Sequence, residues 1–351
     1  HRTTAVDCRQ DCQRGAAPTG DREIHGLAAR KIERHECVEG GVVLGADNRG
    51  QEEDCVTVCN HGRYLLVKRR RHKENCRSGA YKPMHFDIAI VGGGLAGLSL
   101  ACALRDTPLK IALLEQRPPQ RPSGWDARVY AISPANVDFL SRVGVWKHLD
   151  HERIARIAAM EVYGDKGARL DFSAYDTGVS ELGFILESSL MACELWENIK
   201  RQPNRTLLCP ASPQRIEFRE DAALLGLTDG KSVSAKLVVA ADGRDSWVRR
   251  RAGLDAFDTH YNEKGVVANF ACEMPHRGRA FQWFSDDGVL AYLPLPGNRI
   301  SVVWSTPDDH AEELCALPAQ AFCDRLAEAV ARGEARGQRD HVDGAGTHRR
   351  D

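Results

Sequence analysis

Four residues in one stretch have the types and spacing to hold a phosphate and a ribose. They are Gly92, Gly94, Gly97 and Glu115, in the run from Phe86 to Glu115 that reads FDIAIVGGGLAGLSLACALRDTPLKIALLE. The glycines form G-x-G-x-x-G, in which the first permits a tight turn, the second lets a pyrophosphate approach the backbone, and the third lets helix and strand pack closely. A carboxylate at position 115 can accept hydrogen bonds from both hydroxyls of an adenosine ribose. This is dinucleotide-binding chemistry, and it works only if a strand, a turn, a helix and a second strand set the four residues in place.

The local sequence supplies those elements. Phe86 to Val91 is a short apolar, β-branched run of the kind buried on both faces of a parallel sheet. Leu95 to about Arg105 reads as a helix whose free N–H groups and positive dipole end face the phosphate. Lys110 to Glu115 reads as the second strand. Ile88 to Leu104 carries no charge and approaches the length of a membrane span, but the consecutive glycines at 92–94 favour a buried strand–helix pair.

A chain of 351 residues with a net charge of −1 is long enough for two domains and lacks the basic excess of a nucleic-acid-binding surface. The first residues are polar with no apolar signal core, so the sequence reads as cytoplasmic. Of the 12 cysteines, Cys8, Cys12, Cys37, Cys55, Cys59 and Cys76 precede Met84, the first methionine. Residues 1–83 show no amphipathic period, and the expectation is that translation starts at Met84 and that they belong to no domain. Cys55, Cys59, His61, His35 and Cys37 do not repeat as a paired zinc framework, so no metal is expected. The basic run from Lys68 to Lys73 reads as a solvated segment.

After Glu115 a proline-rich loop leads to DARVYAIS. Arg128 in that run has two readings open from spacing alone: a guanidinium along a cofactor pyrophosphate or ribityl chain, or a surface ion pair with Asp126. Pro134 starts a helix, and Met160 to Tyr163 with Arg169 to Phe172 read as a hairpin. Gly183 to Leu186 is a strand leading to a helix from near Ser188 with Leu190, Met191, Leu195 and Ile199 on one face. Glu187, at that junction, reads as a first-turn acid or as a wall of the cofactor site. The strand Ser234 to Ala240 enters ADGRDSWVRR, where Asp242 can reach a ribityl hydroxyl and Gly243 allows close approach. Gly265 to Cys272, Ala280 to Phe284, Val289 to Pro294 and Arg299 to Trp304 alternate with turns, including 286–288, as an antiparallel sheet does. Thr306 with Pro307 reads as a helix cap and first residue, and the helix from Pro318 carries Phe322, Leu326 and Val330 on one face.

Together VGGGLAGL with Glu115, DARVYAIS, LVVAADGRDSWVR and FQWFSDDGVLAYLPLPGNRISVVWS resemble the FAD-dependent aromatic hydroxylases of ubiquinone biosynthesis, within the flavoprotein monooxygenases similar to p-hydroxybenzoate hydroxylase. The resemblance covers Met84 to about Arg332. It implies an α/β fold with a Rossmann-like FAD-binding domain and an inserted antiparallel-sheet substrate domain. It also implies that Gly92, Gly94, Gly97 and Glu115 hold the ADP part of FAD, that Arg128 meets the cofactor, and that Asp242 and Gly243 serve both FAD and the approach of NAD(P)H. The implied reaction uses NAD(P)H and O2 to hydroxylate the ring of a polyprenylphenol.

On this reading residues 84–160 and 183–257 form the FAD-binding domain, with 161–182 and 258–332 in the substrate domain. The family's later Gly-Asp motif is missing before a polar tail at 333–351, so the chain reads as the front part of a hydroxylase with weakened FAD retention. Alternatives are a related FAD-dependent prenyl-lipid reductase or oxidase, and a non-catalytic nucleotide-binding fragment. Catalytic side chains are unassigned, although Trp283, Phe284 and Leu293 are candidates to line a substrate cavity. Other ubiquinone-biosynthesis proteins are conceivable partners. A greasy substrate allows peripheral membrane contact, with no amphipathic anchor to carry it.

Overall fold

The uninterrupted apolar run that ends at Gly92 can be satisfied only where other strands flank it on both sides and apolar layers cover both faces. In the computed structural model that is its position. The structure describes residues 82–343 apart from 166, 258 and 287, together with short strand segments at 8–9, 29–30, 56–59 and 63–66. The side chains of the zinc reading, the run from Lys68 to Lys73, Asp287 of the 286–288 turn, and residues 344–351 lie outside the described residues.

The central strand is Met84–Val91. It pairs in parallel with Ile111–Leu114 on one side and Ser232–Ala240 on the other, and Arg205–Leu208 adds a fourth parallel strand beyond Ile111–Leu114. An antiparallel hairpin, Pro213–Phe218 and Ala223–Leu227, completes this six-stranded sheet. The helices Leu95–Ala103 and Ser188–Lys200 cover one face, where Ile88, Ile90, Leu113, Leu98, Leu190 and Leu195 form the main core. On the other face Ala89, Val91, Ala112 and Leu114 pack against Leu225, Leu227 and Val248. Within the first core the Cys102 thiol lies against the Leu195 carbonyl and the Asn198 amide oxygen, and burial pushes it up from 9.0 to about 12.

The second unit is an antiparallel sheet in which Glu263–Cys272, Arg299–Pro307, Gly288–Leu295 and Arg279–Ser285 are neighbours in that order. Ala159–Tyr163 joins it in parallel with Arg279–Ser285, and Arg169–Ser173 forms the edge. Buried Glu161 secures that join, accepting from the Tyr163 hydroxyl at 2.7 Å and pairing with Arg279 and Arg169. One face of the sheet packs Phe270, Trp283, Tyr292, Ile300 and Trp304 against Leu314, Phe322 and Leu326 of two helices. A small sheet, Val129–Ile132, Gly183–Glu187 and Ala155–Ile157, covers part of the other face, where Ile157 and Ile185 meet Ala280, Leu293 and Leu295. The α/β fold with an added antiparallel sheet is the architecture expected.

Details differ from expectation for physical reasons. The first helix ends at Ala103, where the Leu104 and Arg105 N–H groups close a final tight turn. Thr306 does not cap the helix after it. Pro307 occupies the N-cap, the helix is Asp308–Ala316, and the Thr306 hydroxyl instead meets His310 Nδ1 at 2.8 Å. The last helix runs from Ala319 to Asp343, past Gly333, where the polar tail was expected to begin. Among the described residues no helix is long and apolar enough to cross a membrane.

Leu113, at 0% exposure, should cost about 2–5 kcal/mol on Leu113→Ala in a denaturant titration. Leu170→Ala, at a position 59% exposed on the edge strand, should change stability by about 0.5 kcal/mol or less. The Cys102 thiol stays protonated in the fold while an unfolded thiol ionises near 9, so its share of stability is complete below pH 9 and is lost as pH rises toward 12. Iodoacetamide at pH 8 should accordingly leave Cys102 unmodified in native protein and label it after denaturation, read by peptide mass spectrometry.

Candidate functional site

The parallel strands end level with one another. Val91 pairs with Leu114 and with Ala240, so Gly92, Glu115 and Ala241 follow side by side at the carboxyl edge of the sheet, where open α/β sheets bind ligands. The glycine turn is closed tightly there. The Gly92 N–H donates to the Leu114 carbonyl at 2.8 Å, and Gly92 has φ +109°, which a side chain disfavours. A Cβ on Gly92 would lie 2.2 Å from the Ala241 carbonyl oxygen, and one on Gly97 would lie 2.0 Å from the Gly92 carbonyl oxygen. Gly94 differs, because nothing lies within 4 Å of its Cβ position. Gly94 is also the N-cap of the helix Leu95–Ala103, with no side-chain cap and no acid in the first turn. Open space in front of uncapped N–H groups fits a pyrophosphate.

Glu115 follows the strand Ile111–Leu114 rather than ending it. Its Oε2 accepts from the Gly93 N–H at 2.5 Å, and its Oε1 accepts from the N–H groups of Gln116 at 2.8 Å and Arg117 at 3.1 Å. Those three bonds use most of the roughly four lone-pair sites of a carboxylate. One site on Oε2 stays open, so one ribose hydroxyl can bind as the group stands, and a second must displace a backbone N–H. The Cys209 thiol nearby is pushed up, first by burial and then by the Glu115 charge.

Asp242 lies two residues past Ala240 at the same edge. Its Oδ1 accepts from the Ser246 hydroxyl at 2.5 Å, and its Oδ2 accepts from the N–H groups of Trp247 at 2.7 Å and Val248 at 3.1 Å. The carboxylate therefore starts the short helix Trp247–Arg251 and keeps little capacity for a ribityl hydroxyl. Gly243 has φ +88° and open space at its Cβ position.

Arg128 is exposed and stands on a different element, just before the strand Val129–Ile132. Asp126 binds its backbone, not its guanidinium: the Arg128 N–H donates to Asp126 Oδ1 at 2.9 Å. The Arg128 carbonyl accepts from the Ser188 N–H at 2.9 Å. The ion-pair reading with Asp126 is absent from the structure. Glu187 is the N-cap of the helix Ser188–Lys200 rather than an acid of its first turn. At 1% exposure it holds Arg153 through two oxygens at 2.6 and 2.7 Å and accepts from the Asp126 N–H. This pairing raises the Arg153 pKa against the opposing effect of desolvation. Sequence reasoning missed Arg153, because nothing local marks an arginine as the partner of an acid so far along the chain.

The cavity candidates separate by strand parity. Trp283 faces the core, stacked on Tyr163 at 5.9 Å and edge-on to Tyr292 at 4.9 Å. Its neighbour Phe284 points to the opposite face, as does Leu293. Beside Phe284 that face carries the aligned residues Gln282, Ala291, Val303 and Val267, all partly exposed, so it is a mainly apolar surface beyond the small covering sheet.

A turn that excludes side chains, opens onto uncapped helix N–H groups and sits beside an acid is what a dinucleotide needs, and comparison with known proteins agrees. The profile described as FAD binding domain matches residues 85–350. The chain belongs to the FAD binding domain family. It is 34% identical to the ubiquinone hydroxylase UbiL of Rhodospirillum rubrum over 67% of this chain and 55% of that protein. It is 32% identical to the 3-demethoxyubiquinol 3-hydroxylase of Escherichia coli over 62% of this chain and 56% of that one. The chain thus spans about half the length of the curated relatives it matches. Among solved structures, Pseudomonas aeruginosa PqsL in complex with 2-aminobenzoylacetate superposes with a TM-score of 0.60 at 25% identity, over 72% of each chain.

The two glycines should part company on substitution. Gly97→Ala, forced against the Gly92 carbonyl, should lose about 1–3 kcal/mol or more in thermal or denaturant unfolding. Gly94→Ala should stay within about 1 kcal/mol of the parent in the same assay. Its FAD affinity should fall by about tenfold or more in a fluorescence titration, because a methyl group then occupies the phosphate approach.

Proposed function

We propose that this chain carries the FAD-binding and substrate-sheet portion of a monooxygenase that hydroxylates the aromatic ring of a polyprenylphenol in ubiquinone biosynthesis. The observation that carries this reading is the convergence of the glycine turn, Glu115 and Asp242-Gly243 at the carboxyl edge of the parallel sheet, in a chain whose second sheet offers a mainly apolar face. The names of the two bacterial relatives supply the substrate class.

In this reading Gly92, Gly94 and Gly97 shape the pyrophosphate seat, Glu115 takes a ribose hydroxyl, and Arg128 adds a cation to the phosphate-bearing part of FAD. Asp242 sets the short helix after it, and Gly243 leaves the backbone open for FAD and for the approach of NAD(P)H. When bound, FAD supplies the electron transfer and oxygen activation. The protein's own work is to orient the ring against the face of Phe284, Ala291 and Val303 and to exclude water there. Overall, a ring C–H, O2, NAD(P)H and a proton become a ring C–OH, NAD(P)+ and water.

The test is turnover of a polyprenylphenol under labelled oxygen gas by the chain supplied with FAD and NAD(P)H, read by mass spectrometry. The expected product carries one labelled ring hydroxyl for each NAD(P)H oxidised beyond the substrate-free rate. NAD(P)H oxidation with a reduced, unlabelled lipid would instead identify a reductase, and FAD binding without oxygen uptake would identify a non-catalytic nucleotide-binding chain.

A further inference from the structure

Trp125 carries two guanidinium groups from different parts of the fold. That of Arg153 lies over its ring 4.5 Å from the centroid, and that of Arg299 lies 5.6 Å from it. Arg153 ends a short helical turn before the small sheet and is held by buried Glu187. Arg299 begins the strand Arg299–Pro307 of the antiparallel sheet. Each cation gains from the ring's electron-rich face, and Glu187 offsets the charge of Arg153, so the two like charges can share one indole.

The next residue is gripped from the same two directions. Glu187 accepts from the Asp126 N–H, and Asn269 Nδ2, on the strand Glu263–Cys272, donates to the Asp126 carbonyl at 3.2 Å. The Asp126 carboxylate accepts from the Ser189 N–H at 3.1 Å and from the Arg128 N–H. Trp125 and Asp126 are therefore tied to both units of the fold. Two residues on, the backbone of Arg128 is bound at its N–H and its carbonyl, while its guanidinium has no partner among the described residues.

We propose that Trp125 and Glu187 are positioning residues for Arg128. They lock the loop across the seam between the α/β unit and the antiparallel sheet, so that an unpaired cation is presented already ordered to the phosphate-bearing part of the cofactor. The loop then loses little freedom when the cofactor binds, and affinity rises without a further contact. This inference rests on the reading that the chain binds FAD through Arg128. It adds that the antiparallel sheet tunes cofactor affinity through Arg299.

A double-mutant cycle tests it, with FAD affinity of the chain read by flavin fluorescence quenching and the fold of each variant checked by circular dichroism. Trp125→Leu should weaken FAD binding by about tenfold in the parent, and by about twofold or less once Arg128→Ala is also present. Arg299→Gln, at the start of its strand, provides a second probe should Trp125→Leu disturb folding. It should weaken binding in the same direction, with the effect again vanishing in the Arg128→Ala background. Equal losses in both backgrounds would mean that these residues act on the fold rather than through Arg128, and would overturn the inference alone. Absence of any saturable FAD binding by the parent chain would overturn the cofactor reading and the inference together.

Discussion

The structure depends on a backbone approach that no side chain could tolerate. The carbonyl of Gly92 sits where a Cβ on Gly97 would be, and the carbonyl of Ala241 sits where a Cβ on Gly92 would be. These contacts pull the start of the first helix and the end of the strand Ser232–Ala240 onto one turn. They are possible only because the parallel strands end level, Val91 beside Leu114 and Ala240. Relax the turn and the helix no longer aims its N–H groups over the strand ends, Glu115 loses the Gly93 N–H, and Asp242 no longer starts its helix beside the same opening. The main core, built from Ile90, Leu98 and Leu113 at 0% exposure, supplies the free energy that holds this geometry.

A second tie is electrostatic. A buried carboxylate such as Glu187 is costly to desolvate, and the bidentate contact with Arg153 together with the Asp126 N–H is what makes it tolerable. Removing one partner would strand the other, so this node resists change more than its small size suggests. Through Trp125 and Asn269 it reaches the antiparallel sheet, so the two units meet through specific polar and π contacts as well as through the apolar packing of Ile157 and Ile185. The proposed function, in which oxygen passes from a cofactor on one unit to a ring on the other, needs that relation fixed.

How much could be read from the residues follows from how local each signal is. The strand–turn–helix–strand around Gly92 was legible because glycine spacing, an apolar run and an acid all lie within one stretch. The antiparallel sheet was legible from its alternation and turns. The same alternation puts Trp283 and Phe284 on opposite faces, so grouping both with Leu293 as cavity residues ran against the period of two. Thr306 looked like a cap because its residue type suits one, yet the strand continues through it and Pro307 takes the position. Arg153 with Glu187, and Trp125 with Arg299, were illegible because their partners are distant in the chain and only tertiary packing brings them together. Asp242 was expected to reach a ribityl hydroxyl, but its occupation by the Ser246 hydroxyl and two backbone N–H groups follows from a helix start that the Asp-Gly pair alone does not announce.

In the proposed function the carboxyl edge of the parallel sheet holds FAD by its adenosine diphosphate end. The most direct test is an equilibrium titration of the chain into FAD, followed by the visible flavin spectrum, with ADP then added as competitor. The expected result is a saturable spectral change at one FAD per chain that ADP reverses. A flavin spectrum identical to that of free FAD at every protein concentration, or a bound spectrum that ADP leaves untouched, would contradict it.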